Sequence, residues 1–234
     1  MLIKTRTQKI LFTATGLVFP ALSVFGETWR YEATTTWESK YVENGRNELH
    51  EGGIFTMEAI AAYEGFSLGA WSVLADSVDY KELQLTAAYA ATLKGIELVG
   101  GWTHLEFDPD SADDDELFLE ISPGSLAGFE LSAALVYSFE ADGSFLELRL
   151  GHPLAFFEER LTVEPYLQEN FDFGYRTAAH DGLSNLEAGI DLSFALNERF
   201  NIVAFLAHSW AQEDVEREGL GDVSWAGFGL GARF

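Results

Sequence analysis

The chain has 234 residues, of which 47% are hydrophobic, and a mean hydropathy of +0.01, too polar for a bundle of membrane helices. Its formal charge of −24 argues against nucleic-acid partners, and the lack of cysteine excludes a disulfide framework and a thiolate metal site. A membrane β-barrel also averages near zero hydropathy, because each strand is apolar on one face only, so the pattern along the chain has to decide.

Residues 1–26 stand apart. Lys4, Arg6 and Lys9 make a basic start, Ile10 to Phe25 is mostly apolar, and Val24-Phe25-Gly26 ends the stretch with a small residue. This is the layout of a cleavable secretory signal peptide. A spanning helix wants about 20 apolar residues, and Gly16 and Pro20 interrupt this shorter run. The expected division is a signal peptide over 1–26 and one barrel domain over 27–234. That domain keeps 11 basic and 38 acidic residues, a net charge of −27.

From residue 29 on, alternation at period two recurs. Trp29, Tyr31, Ala33, Thr35, Trp37, Ser39 and Tyr41 fall on one face of a strand running from Trp29 to Val42, and Arg30, Glu32, Glu38 and Lys40 on the other. Residues 54–63 repeat this with Phe55, Met57 and Tyr63 against Glu58, and residues 81–90 with Leu83, Leu85 and Tyr89 against Glu82. Residues 96–105 set Ile96, Leu98 and Trp102 against Glu97. Residues 129–139 set Phe129, Leu131, Leu135 and Tyr137 against Glu130. Residues 144–151 set Leu146, Leu148 and Leu150 against Glu147 and Arg149, and residues 185–196 set Leu186, Ile190, Leu192 and Phe194 against Glu187 and Asp191. Weaker copies occur at 66–75, 116–122, 161–170 and 200–210, and a last strand runs from about 223 to 234. Pro165 should mark a bulge in the ninth segment, and residues 153–160 fit no segment. The fold expected is an all-β, transmembrane, antiparallel up-and-down barrel of about 12 strands.

Connections alternate between short ones, at 64–65, 91–95, 123–128 and 197–199, and longer polar ones, at 43–53, 107–115, 171–183 and 211–222. Outer-membrane barrels have short periplasmic turns and longer external loops; residues 76–80 and 140–143 are short for the latter. A soluble β-sandwich shares the alternation. Against it stand the signal peptide and two levels of aromatic residues that read as interfacial girdles. One holds Trp29, Tyr31, Tyr63, Phe66, Tyr89 and Phe200, the other Trp37, Tyr41, Phe55, Trp102, Tyr137 and Trp210. The terminal Phe234, with Ala232, Leu230 and Phe228 on its face, resembles the signal read by the barrel assembly machinery.

Ser39-Lys40-Tyr41-Val42-Glu43-Asn44-Gly45-Arg46 resembles the S-x-Y-x-x-x-G-x segment of the TorF-type putative porins, and Gly65 to Ser72 resembles their aromatic G-x-W segment. The likeness covers residues 33–75. It departs from the family in Asn44 before Gly45, where Arg is frequent, and in lacking a Pro-Ala pair. It implies a small outer-membrane barrel acting as a porin, with no solute specified.

The polar strand face is the candidate site. Its acids are Glu32, Glu38, Glu58, Glu82, Glu97, Glu130, Glu147, Glu164, Glu187 and Asp191, and its bases Arg30, Lys40, Arg149 and Arg233. Carboxylates in a narrow lumen attract cations, so the function read here is passive passage of small, preferably cationic solutes. The alternative is a non-conducting barrel, its interior packed by ion pairs, with a structural or surface-binding role. Outer-membrane lipid and the assembly machinery are the further partners expected.

The run from Asp108 to Glu116 lacks the central glycine of an EF-hand loop and reads as a solvated acidic loop. No cofactor is expected. Nor is an enzyme: no serine stands two positions from a histidine on one strand face, so a Ser–His pair would need two strands.

Overall fold

The structure is a computed structural model that describes residues 28–109 and 112–234. Residues 1–26, read as a signal peptide, lie outside the described residues, as do Asp110 and Ser111 of the acidic run.

Twelve long strands follow one another. They are β1 (Arg30–Glu38), β2 (Ile54–Tyr63), β3 (Phe66–Ala75), β4 (Lys81–Leu93), β5 (Ile96–Asp108) and β6 (Ala112–Ser122). After them come β7 (Phe129–Ser138), β8 (Gly143–Gly151), β9 (Leu161–Phe173), β10 (Asp181–Ala195), β11 (Phe200–Ala211) and β12 (Val223–Arg233). Each pairs antiparallel with its sequence neighbours, and β1 pairs with β12, Trp37 opposite Phe228, so the sheet closes into a barrel with no free edge. All twelve expected segments are strands.

The period-two alternation explains the two faces. Outward residues such as Leu83, Leu119, Leu131, Ile190 and Leu206 are exposed, whereas Thr36, Gln84, Thr103, Glu164 and Asn185 on the other face are buried. An apolar exterior around a polar interior inverts a soluble core and is the arrangement that suits lipid. Aromatic pairs mark both ends of the exterior. Trp29 stacks on Tyr63 at 5.3 Å and Phe66 meets Tyr89 at 4.6 Å at the end that carries the termini. At the opposite end Trp37 meets Phe228 at 5.8 Å and Tyr137 meets Phe139 at 5.3 Å.

Tight turns close the terminus end. At Glu64-Gly65 and Lys94-Gly95 both central residues have positive φ, the twist that matches a two-residue hairpin. Longer connections gather at the opposite end, at 39–53 and at 212–222, which carries the short helix α1 (Glu213–Arg217).

Four expectations change. The first strand stops at Glu38 rather than Val42, and Tyr41 is fully buried, so it does not belong to the girdle. The acidic run is mostly strand: β5 reaches Asp108 and β6 starts at Ala112, with Asp113 opposite Glu106 and Asp115 opposite His104. Pro165 makes no bulge. It sits where the ladder of β9 with β8 ends at Tyr166 and a second ladder with Leu154–Phe156 begins at Val163, so its missing N–H breaks no ladder bond there. The register shift in β9 lies instead between Asn170 and Phe171. The unread segment 153–160 forms the strand Leu154–Phe156 and a turn in which Phe157, Glu158 and Glu159 all take positive φ.

Candidate functional site: the barrel interior

Because side chains alternate along a strand, thirteen of the fourteen residues singled out from the sequence fall on the inward face of the barrel. The fourteenth, Lys40, follows the end of β1.

Towards the terminus end, acids dominate. Arg149 of β8 donates to Glu164 Oε1 at 3.1 Å and to Asp191 Oδ2 at 2.7 Å, and its guanidinium lies 3.7 Å from the centroid of the Tyr166 ring. The Tyr166 hydroxyl in turn donates to Glu187 at 2.6 Å. Nearer the terminus end, Arg233 stands 3.6 Å from Glu32, both partly exposed. Glu97 and Glu130 share this half of the interior with Glu120 of β6, which alternates in step with Glu116, and Glu58 and Glu147 stand midway along β2 and β8, Glu147 opposite Asn170.

The half towards the longer connections is built differently. A neutral ladder runs round one wall, Gln168 to Asn170 at 3.0 Å, Asn170 to Asn185 at 3.2 Å and Asn185 to Ser209 at 2.9 Å. Thr36 meets Thr56 at 2.6 Å on another wall. Between the walls runs the connection 39–53. The chain turns inward after Glu38 and makes a miniature hairpin, Val42–Glu43 with Arg46–Asn47, about Asn44-Gly45. Both turn residues have positive φ, for which Asn-Gly is the preferred pair. Gly45 is further required by space, because a Cβ there would stand 2.6 Å from Asn185 Cγ on β10.

This strap crosses the barrel. At one side Tyr41 donates to Glu82 of β4, which also accepts from Tyr80 at 2.7 Å and from Gln84 at 2.7 Å. Tyr41 and Leu49 pack with Ile54, Trp71 and Val73 of β2 and β3. At the other side Val42 packs with Phe205 and Ala207 of β11 and Val223 and Trp225 of β12. Arg46 donates to Asp214 Oδ2 of α1 at 2.6 Å, to Glu218 Oε2 at 3.1 Å and to Ser184 Oγ of β10 at 3.3 Å. The Arg46 and Asp214 side chains are 1% and 0% exposed. β4 and β10 are six strands apart in a ring of twelve, hence diametrically opposed. The hairpin folds the backbone back on itself, so the reach from Tyr41 to Arg46 comes largely from their two long side chains.

The connection 174–180 joins the strap. Arg176 pairs with Glu48, Thr177 donates to Glu218 at 2.9 Å, and Tyr175 donates to Glu116 of β6 at 2.7 Å. Burial pushes the Glu48 carboxyl above its usual range, against the pull of Arg176 and then Arg46. Burial, with Glu43 and Glu82 nearby, likewise keeps the Tyr41 phenol protonated. At the rim the Ser77 hydroxyl, the Gly53 N–H and the Trp37 indole hold Asp76 below the ordinary carboxylate range.

The sequence places Tyr41 in the girdle and Arg46 in the TorF-type segment, and gives no interior role to either or to Glu48, Arg176 and Asp214. The one local signal was Asn44-Gly45 between residues of strand character. On the outward face, His208 Nδ1 of β11 lies 2.6 Å from Ser224 Oγ of β12, a two-strand Ser–His contact. Among the described residues no carboxylate or amide bonds its other ring nitrogen.

No protein family matches the sequence and no curated protein does, so no match supports the TorF-type resemblance of residues 33–75. Solved structures do match. A KdgM porin aligns over 87% of this chain and 99% of its own at TM-score 0.62 and 11% identity. A NanC porin aligns over 86% of this chain and 98% of its own at TM-score 0.57 and 10% identity. The COG4313 outer membrane channel of Pseudomonas putida F1 aligns over 88% and 95% at TM-score 0.52 and 9% identity. At such identities the likeness is one of fold, and that fold is the closed twelve-strand barrel of bacterial outer-membrane porins and channels.

Proposed function

We propose that the chain is an outer-membrane porin-like protein giving passive passage to small solutes, preferably cations. The observation that carries the reading is the charge of the interior near the terminus end. Apart from Glu38 and Glu82, which lie beside the strap, the carboxylates singled out from the sequence stand with only Arg30, Arg149 and Arg233, and Arg149 is already held by two of them. A low-dielectric wall focuses the field of the remaining acids along the axis. A KdgM porin has been captured with disordered oligogalacturonate, a chain of sugar acids. An acidic interior repels such an anion, so that solute class does not carry over. The same reading takes residues 1–26 as the export signal, the longer connections as external, and the terminal Phe234 as the contact for the assembly machinery.

Planar bilayers under a salt gradient test it. The reversal potential should favour cations, and less so at high salt, since screening limits the reach of the field to about 10 Å at 0.1 M. Changing Glu97, Glu130 and Glu147 together to Gln should move the potential towards zero. Anion preference would overturn the reading.

One observation favours a second reading, a non-conducting barrel with a structural or surface-binding role: the strap lies across the interior. Folded protein that conducts under no condition would establish that alternative.

A further inference from the structure

We propose that the strap of residues 39–53 is a gate, bolted by Arg46 onto Asp214 and Glu218, which closes the interior from the side of the longer connections. The inference rests on the passage reading and adds a device to it.

The strap enters as one piece, because its hairpin is closed by its own backbone ladder, extended by the Glu48 N–H donating to the Tyr41 carbonyl at 2.8 Å. Its two attachments differ in kind. On the β2–β4 side Tyr41 is held by apolar packing and one hydroxyl, next to the covalent root of the strap in β1 and β2. That side is a hinge. On the far side Val42 adds apolar packing against Phe205 and Trp225, and Arg46 is held by charge. The guanidinium spends its donors on Asp214, Glu218, Ser184 Oγ and the Asn44 carbonyl.

The catch for this bolt is formed by separate pieces of chain. Asp214 lies in α1, Glu218 caps it, and Glu218 also receives Thr177 from the connection 174–180. Arg217 approaches His180 Nδ1 at 3.0 Å, and Arg176 pairs with Glu48 on the strap itself. A buried ion pair whose partners sit on different connections is weak evidence for stability, but it specifies one arrangement of those connections. Loss of one partner leaves a buried charge uncompensated and favours release of the strap. Below the strap the wall is already lined and polar: Thr86 of β4, two residues beyond Gln84, bonds Thr103 of β5 at 3.0 Å and needs nothing from residues 39–53.

The test uses single-channel recording on the full chain, with heat-modifiable migration as the check on folding. Wild type should be mostly closed. Arg46→Glu should raise the time-averaged conductance by about tenfold or more, since removing one partner of a buried pair shifts a two-state equilibrium that far. Arg46→Glu combined with Asp214→Arg restores opposite charges and should return it to the wild-type level, which separates a bolt from general damage. Because the chain has no cysteine, Thr86→Cys gives an independent reading. A membrane-impermeant thiol reagent added to intact cells should label it quickly in the Arg46→Glu background and slowly in the otherwise wild-type chain.

Equal conductance and equal labelling with and without Arg46 would overturn the gate and leave passage standing. Conductance only after residues 41–49 are replaced by a short Gly-Ser segment, with Arg46→Glu still closed, would overturn Arg46 as the bolt. Absence of conductance even in that chain would overturn the passage reading, and the gate with it.

Discussion

The two halves of the barrel interior are lined by the same alternating strands yet solve opposite problems. Near the terminus end, carboxylates outnumber bases and the ion pair of Arg233 with Glu32 remains 43% and 23% exposed. Water at that mouth solvates the pair, whereas Arg149, Glu164 and Asp191 deeper in are largely buried. Under the longer connections, Arg46 and Asp214 are buried, and neutral amides and hydroxyls satisfy one another along the wall. The difference teaches that alternation decides only that a side chain faces inward. Whether an inward charge is a solvated group or a structural fastener depends on what else fills the lumen at that level.

The largest expected effect compares the two ion pairs directly. Arg46→Ala should weaken docking of the strap by about 3–5 kcal/mol, because Asp214 is left buried without its partner. Arg233→Ala should cost about 0–1 kcal/mol, as for other solvated pairs. Hydrogen exchange over residues 41–48, compared with exchange over β1 and β12, reads both. Equal responses would erase the distinction between the halves.

Next comes the contrast between exterior and interior. Ile190→Arg, on the outward face midway along β10, should destabilise the folded barrel by about 2–4 kcal/mol, and Leu131→Arg, nearer the end of β7, by less. Glu130→Arg, one residue from Leu131 and on the wetter half of the interior, should cost much less. Urea unfolding from lipid vesicles measures the pair.

A smaller loss sharpens the strap's other attachment. Tyr41→Phe removes the hydroxyl that donates to Glu82 but keeps the ring among Ile54, Trp71 and Val73. Glu82 retains Tyr80 and Gln84 as donors. The expected cost is therefore about 1 kcal/mol, the net worth of one hydrogen bond. It should show as faster exchange at the strap with no change in reversal potential.

The smallest effect is a pH dependence at the rim. The Asp76 carboxyl is held below its usual range, so it contributes stability above the ordinary value of about 3.9 and loses it as pH falls through its lower folded value. The Trp37 indole N–H donates to Asp76 Oδ2 at 3.1 Å. Its proton resonance should hold steady to below pH ~3.9 and shift only under stronger acid.

Much of the architecture was legible because its causes are local. Leu131 and Glu130 differ in face by one step of the chain, and a closed barrel is the arrangement that buries every strand edge while keeping one face apolar throughout. The same parity brought thirteen candidate residues to the interior. It failed at Tyr41, which continues the alternation of β1 without interruption. The chain leaves the wall at Ser39 and Lys40, and neither residue carries a strong turn signal.

What the sequence by itself determined is the inside and outside of twelve strands, their antiparallel order and the acidic character of the interior, since each follows from alternation and composition within a few residues. The tertiary structure alone decided the route of residues 39–53 and the bolt at Arg46. Arg46 and Asp214 are 168 positions apart, and no periodicity links them. Their meeting depends on closure of β1 against β12, which brings the first and last connections to one rim, and on the Asn44-Gly45 turn, which aims the guanidinium across the lumen.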